Sequence, residues 1–169
     1  MASERVRIVP LERRHAERTR EWANDAAIMR LMDRATPVSS DEHEQWFASL
    51  AHRPDCQYFA IETASGKHVG NVWLWAIDRR HRKAELRVVI GDPGARGNGL
   101  GSEAIDLACG YGFDRLGLRR IYAYVLGINP AARRAFERAG FLLEGTLRDD
   151  RWTGDRFVDA YLLARVSDT

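Results

Sequence analysis

Lysine is almost missing from this chain of 169 residues: only Lys67 and Lys83 stand among 26 basic residues, and the rest are arginine. An arginine-rich surface suits phosphate recognition through the planar guanidinium fork, and it suits a genomic composition bias equally well. Cysteine is scarce too. Cys56 and Cys109 lie far apart, match no metal-ligand spacing and read as reduced structural residues, so no metal is expected. No apolar run approaches the roughly 20 residues of a membrane span. The opening Met1-Ala2-Ser3-Glu4-Arg5 has no secretory apolar region. The expectation is a cytoplasmic protein with no membrane partner. A net charge of +2 is too small to argue for nucleic acid, and the arginines form no patch interleaved with aromatics. What remains, 45% hydrophobic and 30% charged residues, is an ordinary globular mixture whose length suits one domain over 1–169.

Periodicity supplies the elements. Val6 to Pro10 reads as a strand, and 12–24 as a polar helix anchored by Ala16, Trp22 and Ala23. A second helix starts at Ser39-Ser40, where Ser39 and Glu42 fit a capping box and Trp46, Phe47 and Leu50 supply an apolar face. Strand-like runs follow at 57–63, 68–77 and 84–90, joined too tightly for crossovers and therefore antiparallel. A helix over 100–116 and a strand over 120–126 come next. Asn129-Pro130 then opens a helix that stops at Gly140, and strands at 141–147 and 157–166 close the chain. This order implies an α+β fold around one mixed sheet.

Between the third run of the meander and the helix after it lies Arg96-Gly97-Asn98-Gly99-Leu100-Gly101-Ser102. Glycines let a backbone approach a ligand and adopt positive φ, and exposed amides at a helix start bind phosphate oxygens. Arg96 adds a charged fork. The loop is not a P-loop, because Ser102-Glu103 follows Gly101 where Lys-Ser/Thr would be needed. Nor does its Gly-x-Gly-x-Gly spacing after a meander fit a dinucleotide fingerprint.

Arg96-x-x-Gly99-x-Gly101 resembles the acetyl-CoA signature of the GNAT acetyltransferases. Asn129, Ala132, Phe136, Glu137, Arg138, Gly140 and Phe141 stand in the register of that family's next motif. The resemblance runs nearly end to end. Its C-terminal strands are most similar to the branch that holds ribosomal-protein-alanine, spermidine and nucleotide-amino-sugar acetyltransferases. It implies one domain with a mixed, mostly antiparallel sheet of about seven strands flanked by helices, and acetyl-CoA as co-substrate. It implies that Val88, Val89 and Ile90 splay from the neighbouring strand and pair with pantetheine. Arg96, Gly97, Asn98, Gly99, Leu100, Gly101 and Ser102 would hold the pyrophosphate, Asn129 would face the pantetheine or thioester, and Arg138 would reach the nucleotide. A homodimer, common in that branch, is the assembly it suggests.

Transfer to nitrogen needs a neutral amine, and an alkylammonium with pKa near 10 has to lose a proton first. Glu85, a carboxylate inside an apolar run, is the candidate base; the alternative is a glutamate paired with a nearby arginine. His43 and His81 are further candidates, or else solvated histidines. Phe136 stands where many family members place a tyrosine that serves the departing sulfur, so that role does not carry over. The matches Ser40-x-x-His43-x-x-Trp46-Phe47 and Arg82-Lys83-Ala84-Glu85 look most like the amino-sugar members. The stretch between Ala26 and Ser40 offers one carboxylate, Asp33, for a polycation. The expected acceptor is thus a small amine such as an amino sugar. A polyamine, an aminoglycoside or a protein N-terminal alanine is the alternative, and a binding module without catalysis is the other class.

Overall fold

The computed structural model describes residues 1–167. Seven strands form one sheet in the order β1-β2-β3-β4-β5-β7-β6. β1 (Val6–Pro10), β2 (Gln57–Thr63), β3 (His68–Asp78) and β4 (Lys83–Ile90) make the expected antiparallel meander. β5 (Arg120–Leu126) lies parallel to β4, and β7 (Phe157–Val166) inserts between β5 and β6 (Leu142–Trp152). Helix α4 (Leu100–Asp114) covers one face, where Phe59, Ile61, Val72, Leu74, Leu86 and Ile121 are buried against it. Helices α1 (Ala16–Ala23), α2 (Ala26–Leu31) and α3 (Ser40–Ser49) cover the other face of the meander. The period of two along β3 separates them: Val72 and Leu74 go to the α4 core, while Trp73 packs with Tyr58, which meets Trp46 of α3. Helix α5 (Pro130–Arg138) follows β5.

Local chemistry explains most boundaries. The capping box of α3 is present, with Ser39 Oγ accepting from the Glu42 amide and Glu42 Oε2 accepting from the Ser39 amide. Gly140 ends α5 at φ +81, a conformation that favours glycine. Two elements depart from expectation. α2 is a separate helix capped by Asp25, whose Oδ1 accepts from the Ile28 amide at 2.9 Å; six residues are too short to show a helical period. β6 runs on to Trp152 rather than stopping at 147, because irregularities after Leu143 and Leu147 let the polar stretch 148–150 pass before pairing resumes at Arg151.

A buried polar network ties the helical face to the sheet. Glu62 is fully buried and accepts from Arg14 at 2.6 Å, Arg7 at 2.7 Å and His15 Nε2 at 3.0 Å. Burial works to raise its pKa, but the hydrogen bonds from His15 and Arg7 and the charges of Arg14 and Arg7 outweigh it and hold the carboxyl below its usual range. The folded chain therefore binds this proton less readily than the unfolded chain. The stabilisation is present above the unfolded value of about 4.3 and is lost as pH falls through the lower folded value. Glu62→Gln is expected to lower stability by about 2–4 kcal/mol, toward the low end because both arginines reach solvent. Urea melts between pH 3 and 7 check this: the wild type should lose stability on acidification below about pH 4.5, and the variant should lack that part of the slope.

A candidate acetyl-donor cleft and the cavity beside it

β4 and β5 pair only through Lys83–Arg120, Ala84–Ile121 and Glu85–Tyr122. β4 keeps its partner β3 up to Ile90, and β5 keeps β7 up to Leu126, so the two strands part like a V. The V holds a cleft of about 320 Å³, lined among others by Glu85, Val88, Tyr124, Asn129 and Phe136. The expected splay of Val88, Val89 and Ile90 is thus in place: the edge of β4 beyond Glu85 has no β5 partner.

The glycine loop follows the free edge of β4, and a Cβ on Gly101 would lie 3.6 Å from Ile90 and 4.0 Å from Ala135 of α5. Gly97 and Gly99 take φ +77 and +82, and Gly99 is the N-cap of α4, with no side chain capping the helix. The amides of Leu100, Gly101 and Ser102 thus open a 15-residue helix with the positive end of its dipole toward a ligand. Leu100 contributes only its backbone, since its side chain is core. Ser102 Oγ is buried without a hydrogen-bond partner among the described residues. A buried hydroxyl left unpaired at an anion-binding helix start fits a phosphate oxygen.

Arg96 differs from expectation. Its Nε donates to the Ile90 carbonyl at 2.9 Å and its Nη2 to the Gly91 carbonyl at 3.0 Å, so it fastens the loop to the end of β4. Asn98 staples the loop from inside, with Nδ2 3.4 Å from the Gly94 carbonyl. Arg5 was not foreseen. Its Nη1 donates to the Asn98 carbonyl at 2.7 Å, and it pairs with Glu103 in the first turn of α4. No local pattern announces a contact across 93 positions. Arg138 is exposed beside a depression of about 490 Å³ that also touches Ser102, placing a cation past the helix start.

Glu85 sits where the V opens and is buried, opposite Trp75 on β3 and Tyr122 on β5. Its Oε1 accepts from Arg87 Nε at 2.7 Å. The arginine pair of the alternative reading is present, on a buried rather than a surface carboxylate, and Glu85 lines the cleft. Asn129 Oδ1 caps α5 by accepting from the Ala132 amide at 3.0 Å, while its Nδ2 has no partner among the described residues. Phe136 is buried edge-on to Phe141 with ring centres 5.0 Å apart, and Tyr124 is the phenol lining the cleft.

On the helical face a second cavity of about 410 Å³ adjoins the cleft. The two share Met32 and Arg87. Trp22, Trp46, Trp73 and Trp75 all line it, so the strand tryptophans are wall rather than core. Trp22 reaches it by packing across Gly91, where a Cβ would overlap its ring. His43 is buried in the same wall, which corrects its reading as a solvated histidine: it precedes Trp46 and Phe47 by three and four positions and so shares their helical face. His81 is exposed. Among the described residues no group of three or more His, Cys, Asp or Glu side chains is arranged to hold a metal ion.

The unpaired Ser102 hydroxyl yields a test that separates ligand binding from stability. Ser102→Ala removes an unsatisfied buried polar atom, so melting temperature should hold or rise. Acetyl-CoA affinity measured by calorimetry should fall about tenfold, the loss of one hydrogen bond to a charged group. Unchanged affinity would remove this hydroxyl from the donor site.

The comparisons with known proteins agree with this geometry. A family model described as an acetyltransferase (GNAT) domain matches residues 5–142. Spermidine N(1)-acetyltransferase of Escherichia coli (strain K12) is 29% identical over 155 residues, covering 92% of this chain and 82% of that protein. Its counterpart from Vibrio cholerae is 33% identical over 121 residues, covering 72% of this chain and 69% of that protein. The crystal structure of spermidine N-acetyltransferase from Vibrio cholerae in complex with CoA and spermine superposes with a TM-score of 0.90 at 28% identity, covering 97% of this chain and 96% of that chain. No helix among the described residues is long and apolar enough to cross a membrane. The chain belongs to the GNAT acetyltransferases and is an acetyl-CoA-dependent N-acetyltransferase.

Proposed function

We propose that the acceptor is a small primary alkylamine that enters the aromatic cavity, and that Glu85 takes its proton where this cavity meets the cleft. The observation that carries the reading is the shared wall: Arg87 lines both spaces and holds Glu85. A thioester seated in the cleft supplies the acyl carbon that the amine nitrogen attacks. The spermidine named for the relatives supports an alkylamine, polyamines included, over the amino sugar expected from sequence.

Each residue then has a defined task. The Leu100, Gly101 and Ser102 amides and the Ser102 hydroxyl hold phosphate oxygens, and Arg5 and Arg96 keep the loop in shape. The edge of β4 from Val88 to Ile90 lines up the donor's arm, as strand pairing would. Glu85 receives the ammonium proton directly or through water. Asn129 Nδ2 is available to donate within the cleft. Phe136 brings a ring and no proton. The thiolate needs little help, because a thiol pKa near 8.5 makes it a fair leaving group. Self-association is part of the proposal. A relative described as dodecameric supports it, as does the edge strand β6, which exposes Leu142, Leu143 and Leu147.

The test is thiol release from acetyl-CoA with a panel of primary alkylamines, for the wild type and Glu85→Gln. The variant should fold, bind acetyl-CoA normally and lose about 10²-fold in kcat/KM near neutral pH, the low end for a general base. The deficit should shrink at high pH, where the amine is already neutral. A pH-independent deficit would make Glu85 a structural partner of Arg87 instead.

A further inference from the structure

We propose that the acceptor of this enzyme carries an anionic group, a carboxylate or a phosphate, on the apolar body that bears its amine, and that Arg34 and His43 receive that group. The inference rests on the reading that the aromatic cavity takes the acceptor.

Charge is the first ground. Among the described residues no Asp or Glu lines this cavity, whereas Arg34, Arg53 and Arg87 do. Arg53 is paired with Asp55 and Arg87 with Glu85. Arg34 has no ion pair among the described residues, and neither has Arg20, whose charge also acts on His43. Asp33 and Glu85 line the adjoining cleft instead, and each is already bound to an arginine, Arg151 and Arg87. A polycation entering here meets uncompensated positive charge, while an anion is attracted.

His43 is the second, independent ground. It is 6% exposed, lines the cavity, and its Nε2 has no hydrogen-bond partner among the described residues. A buried polar atom without a partner is costly in a folded chain unless something fills it. Burial first, then the charges of Arg20 and Arg34, hold its pKa below the usual histidine range, against the opposing effect of Glu44. The ring is neutral at pH 7, and one neutral imidazole nitrogen can donate to an anionic oxygen beside Arg34.

The aromatic walls alone would also suit an ammonium ion, since cations sit over ring faces. Those faces are largely engaged within the wall. The Arg53 guanidinium lies 4.4 Å from the centre of the Trp75 ring. Tyr58 and Trp73 stack on each other at 5.4 Å and 11°. Trp46 meets Tyr58 edge-on. What the walls offer a ligand is apolar surface, which suits the body of the acceptor.

The experiment measures thiol release with matched amines that differ by a carboxylate: phenylalanine against phenethylamine and 6-aminohexanoate against hexylamine, with spermidine alongside. In at least one pair kcat/KM should favour the acid by tenfold or more and should exceed that for spermidine. Arg34→Gln should lower the acid's kcat/KM about tenfold, mainly through KM, and collapse the preference; Arg34→Lys should restore part of it. Turnover confined to spermidine and amines without an anionic group, or a preference that survives Arg34→Gln, overturns the proposal while leaving the alkylamine reading intact. If no amine releases thiol, the alkylamine reading fails, and the anion site is decided by calorimetry with 3-phenylpropionate. Saturable binding weakened at least tenfold in Arg34→Gln supports the site, and no binding overturns it.

Discussion

β4 and β5 hold together through three pairs, Lys83–Arg120, Ala84–Ile121 and Glu85–Tyr122, and then diverge while each keeps its other neighbour. β4 remains paired with β3 as far as Ile90, and Gly70 permits that approach, since a Cβ there would collide with the Val89 carbonyl. β5 is paired with β7 along its whole length. Three pairs are all that the two parallel strands share, and Phe136 of α5 lines the opening where the next pairs would form. The cleft, the exposed edge of β4 and the placing of α4 at its end all follow from this divergence.

The chemistry is divided along the same line. At the start of α4, helix amides and an unpaired serine hydroxyl are the groups proposed to meet the donor's phosphates. On the helical side, tryptophans and arginines wall the cavity proposed for the acceptor. Arg87 belongs to both spaces and keeps the Glu85 carboxylate at the boundary, where a proton has to leave before nitrogen can attack. The ion pair does not conflict with the base role proposed for Glu85, since a carboxylate held by one arginine nitrogen keeps oxygen lone pairs for another partner.

Much of this was legible in the sequence, for identifiable reasons. The meander, α4 and α5 carry strong periodicity and explicit stop signals, and the loop 96–102 combines glycines with a helix start. The role of Arg5 was not legible, because its partners Asn98 and Glu103 lie more than 90 positions away in the chain, and an isolated arginine looks the same on any surface. The sequence pattern shows Arg96 only as a charge beside the glycines, and not that its Nε and Nη2 donate to the Ile90 and Gly91 carbonyls at the end of β4. For His43 the sequence leaves a base or a solvated histidine open, and its spacing from Trp46 and Phe47 is the signal that puts it on their buried face. The acceptor was the least legible element: the short matches on α3 and at the start of β4 point to an amino sugar, while the cavity beside the cleft is assembled from six elements, α1, α2, α3, β2, β3 and β4.

The central claim is that the V between β4 and β5 seats the acetyl donor with its phosphates on the α4 amides. A crystal structure with CoA tests it most directly. The account predicts pantetheine along Val88–Ile90, the pyrophosphate within hydrogen-bond distance of the Leu100, Gly101 and Ser102 amides, and the Ser102 hydroxyl newly paired. CoA bound elsewhere, with the V unfilled and Ser102 still without a partner, would contradict it.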